Sequence, residues 1–425
     1  MATDIKGTTH PVEASAVLGL LTARPRLLAL GEPTHGEDTL LDLRNELFRQ
    51  LVEQGADQEA DQEGERAEER AEERAEGGHQ EGYRTIAIES DCLKGLLVDA
   101  YVTSGTGTLD EVMEHGFSHG WGASAANREL VRWMRAFNDG RPATDQVRFA
   151  GFDGPLEMSE SASPRRALLA LHGHLSAQVD ADLLPCTAEA LDRLLGADER
   201  WTDPAAMMDP SQSVGKSTEA CQLRLLADDL VSLLDTQTPQ LLAAAPREDW
   251  DRARLYGRTA LGLLRYHSAM ADTSPARMSR LCALRDSMMA DNLLALAARG
   301  PAMVHAQNAH LQRAKSSMRM WQGVVEWWSA GALVSARLGE EYAFVATALG
   351  TIRHQGVDAP APDTLEGLLY ALPEDRCVVD TARLADAFGD AAPAPRESPW
   401  FGYAPFDPAH LAGTDGLVFL KDVPQ

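Results

Sequence analysis

Apolar and polar positions along this chain follow two rhythms, one of about 3.6 residues and one of short apolar runs, and the two take turns. Val12–Leu21 has helical spacing and precedes a short run at Arg26–Leu30; Thr39–Gln54 is helical again. A second run, Thr85–Ile88, ends at Glu89-Ser90-Asp91. Asn127–Asn138 sets Leu130, Trp133, Met134 and Phe137 on one helical face, and a third run, Val147–Ala150, ends at Gly151-Phe152-Asp153. From about Ser163 to Arg299 the pattern is helical almost throughout. Ala302–His305 is a fourth run and leads into Gln307-Asn308-Ala309-His310, with later strands predicted at Tyr342–Ala348, Cys377–Val379 and Gly416–Leu420.

Strands spaced by helices predict an α/β fold, a mainly parallel sheet flanked by helices, and the strand-free middle predicts an inserted all-helical lobe. Residues 1–160 and 300–425 are expected to form the α/β core that carries the site. Residues 161–299 are expected to form a mostly helical lobe with a return helix, and 56–82 an acidic low-complexity insertion. Between Asp57 and Glu81 eleven acidic residues face three arginines, so this stretch reads as a solvated extension and is kept out of the site.

Composition narrows the function. The net charge of −25 opposes nucleic acid as a partner, because phosphate binding needs clustered Lys and Arg, and an acidic core suits a neutral or cationic small molecule. No apolar run approaches the length of a membrane span, so no membrane partner is expected. Met1–Pro11 lacks the pattern of a secretory signal. The five cysteines are scattered and never spaced Cys-x-x-Cys, which favours a reducing compartment; the cytoplasm is expected.

Parallel strands bring their carboxyl ends to one rim, and four of the predicted strands end in polar residues. Glu32 and His35, Glu89 and Asp91, Asp153, and Asn308 and His310 could therefore meet although they are far apart in sequence. A histidine beside carboxylates is what general-base activation of water needs: imidazole takes the proton and the acid fixes its tautomer. Each residue also has a plainer reading. His35 could be a helix-entry histidine, and Glu89, Asp91 and Asp153 could cap the helices after their strands. Arg285 sits in a helical stretch, where it could reach the rim to bind an oxyanion or pair with a surface acid.

Gly31-Glu32-Pro33-Thr34-His35-Gly36, with a strand ending Ile88-Glu89 beyond it, resembles the erythromycin esterase family. The same resemblance runs through Trp133-Met134-Arg135-Ala136-Phe137-Asn138, Val147–Asp153, Arg285-Asp286-x-x-Met289-Ala290-x-Asn292, Asn308-x-His310 and Asp415-Gly416-Leu417-Val418-Phe419. It implies hydrolysis of a carboxylic ester or lactone by activated water, without a covalent serine intermediate. By the same resemblance His35 would be the general base, Glu32 and Glu89 would orient it and the water, and Arg285 would stabilise the carbonyl. Asp153, Gln307, Asn308 and His310 would complete the substrate pocket. The family commonly has His-Asn-x-His on the fourth strand, and here Gln307 stands at the first of those positions. The alternatives are a non-catalytic or metal- or haem-binding relative, and a biosynthetic enzyme acting on a secondary metabolite.

Other signals count for less. Gly116-Phe117-Ser118-His119-Gly120 matches a nucleophile elbow, but a helix, Thr108–His115, is predicted where that motif requires a strand. Gly215-Lys216-Ser217 imitates the end of a phosphate-binding loop but lacks its first glycine and preceding strand. His172 and His174 lie on a predicted helix. The rim residues include acceptable metal ligands, yet no His-Glu-x-x-His or cysteine pair accompanies them, and no metal or other cofactor is expected. Trp321, Trp327 and Trp328 read as packing, or as the mouth of a pocket for a bulky substrate.

Overall fold

A computed structural model describes residues 6–69, 82–157, 160–320, 323–389, 392–398, 400 and 402–424. The apolar runs become a sheet of eight strands: β1 (Thr9–His10), β2 (Leu27–Glu32), β3 (Thr85–Asp91), β4 (Arg148–Asp153), β5 (Ala302–Gln307), β8 (Tyr342–Thr351), β9 (Arg376–Val379) and β10 (Gly416–Asp422). Between β5 and β8, β6 (Lys315–Met320) and β7 (Gly323–Trp328) form a separate hairpin. The strand order in the large sheet is β1-β9-β10-β8-β2-β5-β3-β4. From β10 to β4 neighbouring strands are parallel, and β9 pairs antiparallel to both β10 and β1.

The central strands are buried on both faces, which is why they read as unbroken apolar runs rather than alternating ones. Leu28 and Leu30 of β2, with Ile86 and Ile88 of β3, face a core shared with the helices Asp38–Glu69 and Ala125–Asn138. Leu27 and Ala29 face the other side, packing with Val304, Phe344 and Phe419 beneath the helix Arg277–Ala297.

Chain order folds back at the sheet's edge. After β4 the chain runs through helices, including Arg165–Ser176, Thr218–Thr236, Arg247–Met270 and Arg277–Ala297, and returns as β5 between β2 and β3. The next strand of the sheet, β8, lies on the other side of β2. Such reversals open a crevice beyond the carboxyl ends of the strands. Here β2, β5, β3 and β4 are neighbours, so the four polar strand ends lie side by side.

At the site β2 and β3 continue past their apolar runs, because Glu32, Glu89, Ser90 and Asp91 stay in the sheet and are buried. The β6–β7 hairpin was not expected. Its buried positions, Ser316, Val325 and Trp327, alternate with exposed ones, but Val324 and Trp328 put apolar residues on the outer face as well and blur the two-residue period. The helix Asp38–Glu69 extends into the acidic insertion; the side chains of residues 56–81 lie outside the described residues. No described helix is long and apolar enough to cross a membrane.

Candidate active site

Glu32 closes β2 with its carboxylate almost fully buried, while His35 three residues later keeps 45% of its side chain exposed. Gly36, at φ 74°, makes the left-handed turn that sends the chain into the next helix. His35 Nδ1 lies 2.7 Å from Glu32 Oε1. A carboxylate can only accept, so Nδ1 carries the proton and Nε2 is left to face the crevice. The imidazole stands edge-on to Trp121, with ring centroids 5.4 Å apart, and Trp121 Nε1 donates to the backbone carbonyl of Glu89. Behind Glu32, the buried His305 places Nε2 3.1 Å from Oε2.

Glu89, from the end of β3, is the hub. Its Oε1 lies 3.9 Å from His35 Nε2, 3.4 Å from His310 Nε2 and 2.9 Å from Arg285 Nη2, and its Oε2 accepts from the backbone N–H of Gln307 at 2.9 Å. Arg285 comes from the helix Arg277–Ala297 and is tied to Asp153 at the end of β4 through Nη2 at 2.7 Å and Nε at 3.1 Å. Asp153 also faces His119 Nε2 at 3.0 Å.

Proton affinities follow from these contacts. Burial alone would raise Glu32, but His305 and His35 overcome it and hold the carboxyl at about 2. Burial likewise opposes the ionised form of Glu89, and His310, His35 and Arg285 bring it down to about 2. For His35 burial pushes downward, yet Glu89 and Glu32 pull its pKa up to about 9. Asp153 is lowered against its burial by Arg285 and His119. The crevice thus sets the ionised Glu32, Glu89 and Asp153 against the cationic forms of His35 and Arg285. Among the described residues no three His, Cys, Asp or Glu side chains are grouped to hold a metal ion.

The structure brings together Glu32, His35, Glu89, Asp153, Arg285 and His310. Gln307 contributes its backbone N–H. Asn308 does not point into the cluster: its side chain donates to the carbonyl of Thr347 at 2.8 Å and accepts from the Thr347 N–H at 3.2 Å, bridging to β8. A methyl group on Gly31 would come within 2.1 Å of Asn308 Oδ1, so a glycine is needed where β2 passes this side chain. Asp91 accepts from the N–H groups of Leu93 and Lys94 and caps the following turn.

Sequence reasoning gave no role to Asp286, His119 or Trp121. Asp286 stands beside Arg285 in a helical stretch, and His119 follows the serine of the elbow motif. His119 adopts φ 53° with both ring nitrogens near carboxylates, those of Asp153 and Glu157. Ser118 of that motif is buried, follows the helix Leu109–His115, and accepts from the Asp91 N–H at 2.8 Å beside Ser90. Its hydroxyl braces the end of β3.

The family described as Erythromycin esterase matches residues 79–423. That span includes Glu89, Asp153, Arg285 and His310, whereas Glu32 and His35 lie ahead of it. No curated protein matches. Among solved structures, a Bacillus cereus protein superposes with a TM-score of 0.69 at 14% identity, covering 100% of this chain and 98% of its own. A succinoglycan biosynthesis protein gives 0.66 at 13% identity, covering 99% and 96%. A histidine-to-asparagine mutant of erythromycin esterase EreC in its open conformation gives 0.62 at 16%, covering 95% and 92%. At these identities the likeness is one of fold.

Proposed function

The chain belongs to the erythromycin esterase family, and from that premise we propose that it hydrolyses a carboxylic ester or lactone with water activated at His35 and no covalent intermediate. Membership itself supports a hydrolase-type activity. The observation that carries the finer reading is the Glu32–His35 contact of 2.7 Å, which leaves Nε2 free beside Glu89 and Arg285. In this reading Nε2 takes a proton from water and Glu32 stabilises the imidazolium that forms. Glu89 orients the water, and Arg285, held by Asp153, receives the developing oxyanion.

Gln307 and His310 border the substrate, while Asn308 acts through the turn it ties to β8. Ser118 is committed to the Asp91 N–H, which favours direct attack by water over an acyl-enzyme. The excess of acidic residues suits a neutral or cationic small molecule, and five free cysteines suit the cytoplasm. No nucleic acid, membrane or cofactor enters this reading.

The high pKa of His35 favours a second reading at neutral pH, a relative that binds its ligand without cleaving it, because a protonated imidazole is no base. Mass-spectrometric screening of macrolides, lactones and simple acyl esters between pH 7 and 9.5, with native chain and His35→Ala, tests both. Hydrolysis that rises with pH and disappears in His35→Ala, with melting temperature kept within a few degrees, supports the hydrolase. Ligand retention without product at every pH supports the binding protein. Unchanged turnover in His35→Ala removes His35 from the reaction.

A further inference from the structure

Glu89 stands between two imidazoles, each backed by a carboxylate of its own. On one side His35 Nδ1 donates to Glu32; on the other His310 Nδ1 donates to Asp286 Oδ1, also at 2.7 Å. The two Nε2 atoms face the same oxygen of Glu89, His35 from 3.9 Å and His310 from 3.4 Å. They are therefore within about 8 Å of each other, with Arg285 alongside. An ester set against Glu89 would then have one imidazole near the attacking water and the other near the departing oxygen.

We infer that Asp286 is a positioning residue that presents His310 Nε2–H as the proton donor to the leaving alcohol. The inference rests on the hydrolytic reading above. Asp286 is fully buried and its carboxylate accepts three hydrogen bonds: Oδ1 takes His310, and Oδ2 takes Trp327 Nε1 and the Ala330 N–H, each at 3.0 Å. The hairpin strand β7 and the helix Ala330–Leu338 thus clamp the acid that clamps the imidazole. With Nδ1–H donated to a carboxylate, Nε2 is the nitrogen that gains and loses the proton. The charged groups facing His310 are Asp286, Glu89 and Arg285. Burial pushes its proton affinity down, but Asp286 and Glu89 outweigh burial and the guanidinium and raise it.

The proton balance closes. Water gives a proton to His35 Nε2, and its oxygen bonds the carbonyl carbon while the π pair moves onto the carbonyl oxygen. When that pair re-forms the double bond, the carbon–oxygen bond to the alcohol breaks and the departing oxygen takes the His310 Nε2 proton. The products are a carboxylic acid and an alcohol. His35 then returns its proton to solvent and His310 recovers one.

Two measurements test the inference. Long-range ¹H–¹⁵N imidazole spectra of the ¹⁵N-histidine-labelled chain are expected to show neutral His310 protonated at Nδ1, and Asp286→Asn is expected to lose that tautomer. Neutral His310 protonated at Nε2 overturns the inference. The second compares ethyl butyrate with 4-nitrophenyl butyrate, whose phenolate leaves without needing a proton. Asp286→Asn and His310→Gln are each expected to slow the ethyl ester by about 30-fold more than the nitrophenyl ester. Equal slowing of both esters overturns the inference, since a merely structural role would show that. If the native chain cleaves neither ester, the failure belongs to the proposed reaction, and the spectra alone decide the Asp286–His310 pairing.

Discussion

Glu32 Oε2 lies 3.1 Å from His305 Nε2, on the side of the carboxylate opposite His35. Both residues are almost fully buried and sit on neighbouring strands, β2 and β5. His305 is thus one of the two donors that keep Glu32 ionised. Its replacement by Leu leaves a buried carboxylate oxygen without a partner, at a cost of about 1–3 kcal/mol, while His305→Gln keeps an N–H donor and loses less. Denaturant unfolding of the two variants at pH 7 checks the order; equal losses would mean that His305 serves only as packing.

Ser118→Ala removes the acceptor of the Asp91 N–H in a buried setting. Stability is expected to fall by about 1–3 kcal/mol, seen as a lower melting temperature, with turnover per folded molecule unchanged. Intact-protein mass spectrometry during turnover is expected to show no acyl adduct. An adduct that vanishes in Ser118→Ala would restore the serine as a nucleophile.

His267, in the helix Arg247–Met270, is buried with Nε2 2.9 Å from the Ala162 carbonyl and its ring 4.9 Å from Trp201. Burial lowers its pKa to about 4. The unfolded chain takes up that proton near pH 6.5 and the folded chain only near 4, so stability is lost as pH falls through this window. From this group alone the loss between pH 7 and pH 4 is about 3 kcal/mol. His267→Gln is expected to be less acid-sensitive than the native chain by that amount, read from urea unfolding at the two pH values.

Much of the sheet was legible because β2, β3, β4 and β5 are apolar runs that end in polar residues. The nearness of Glu32 and His35 was legible too, since three residues separate them. What stayed hidden depends on partners distant in sequence. Asn308 looks like a pocket residue until Thr347 on β8 takes both ends of its amide. Asp286 looks like any acid on a helix until His310, Trp327 and Ala330 converge on it from three other elements. The elbow motif misleads because its serine and histidine face different neighbours, Ser118 the end of β3 and His119 the carboxylate of Asp153.

The proton on His35 decides whether this crevice can activate water, and Glu89 and Glu32 together hold that proton in place. The most direct measurement is kcat/KM against pH from 6 to 10 for the native chain and Glu89→Gln, on an ester or lactone the chain turns over. Because deprotonated His35 is the active base, the native rate is expected to rise with pH to a midpoint near 9. In Glu89→Gln, with the carboxylate charge gone, that limb is expected to move toward the ordinary histidine value of about 6.5 at a lower maximal rate. A flat native profile, or a limb that stays in place when Glu89 is neutralised, would contradict His35 as the base.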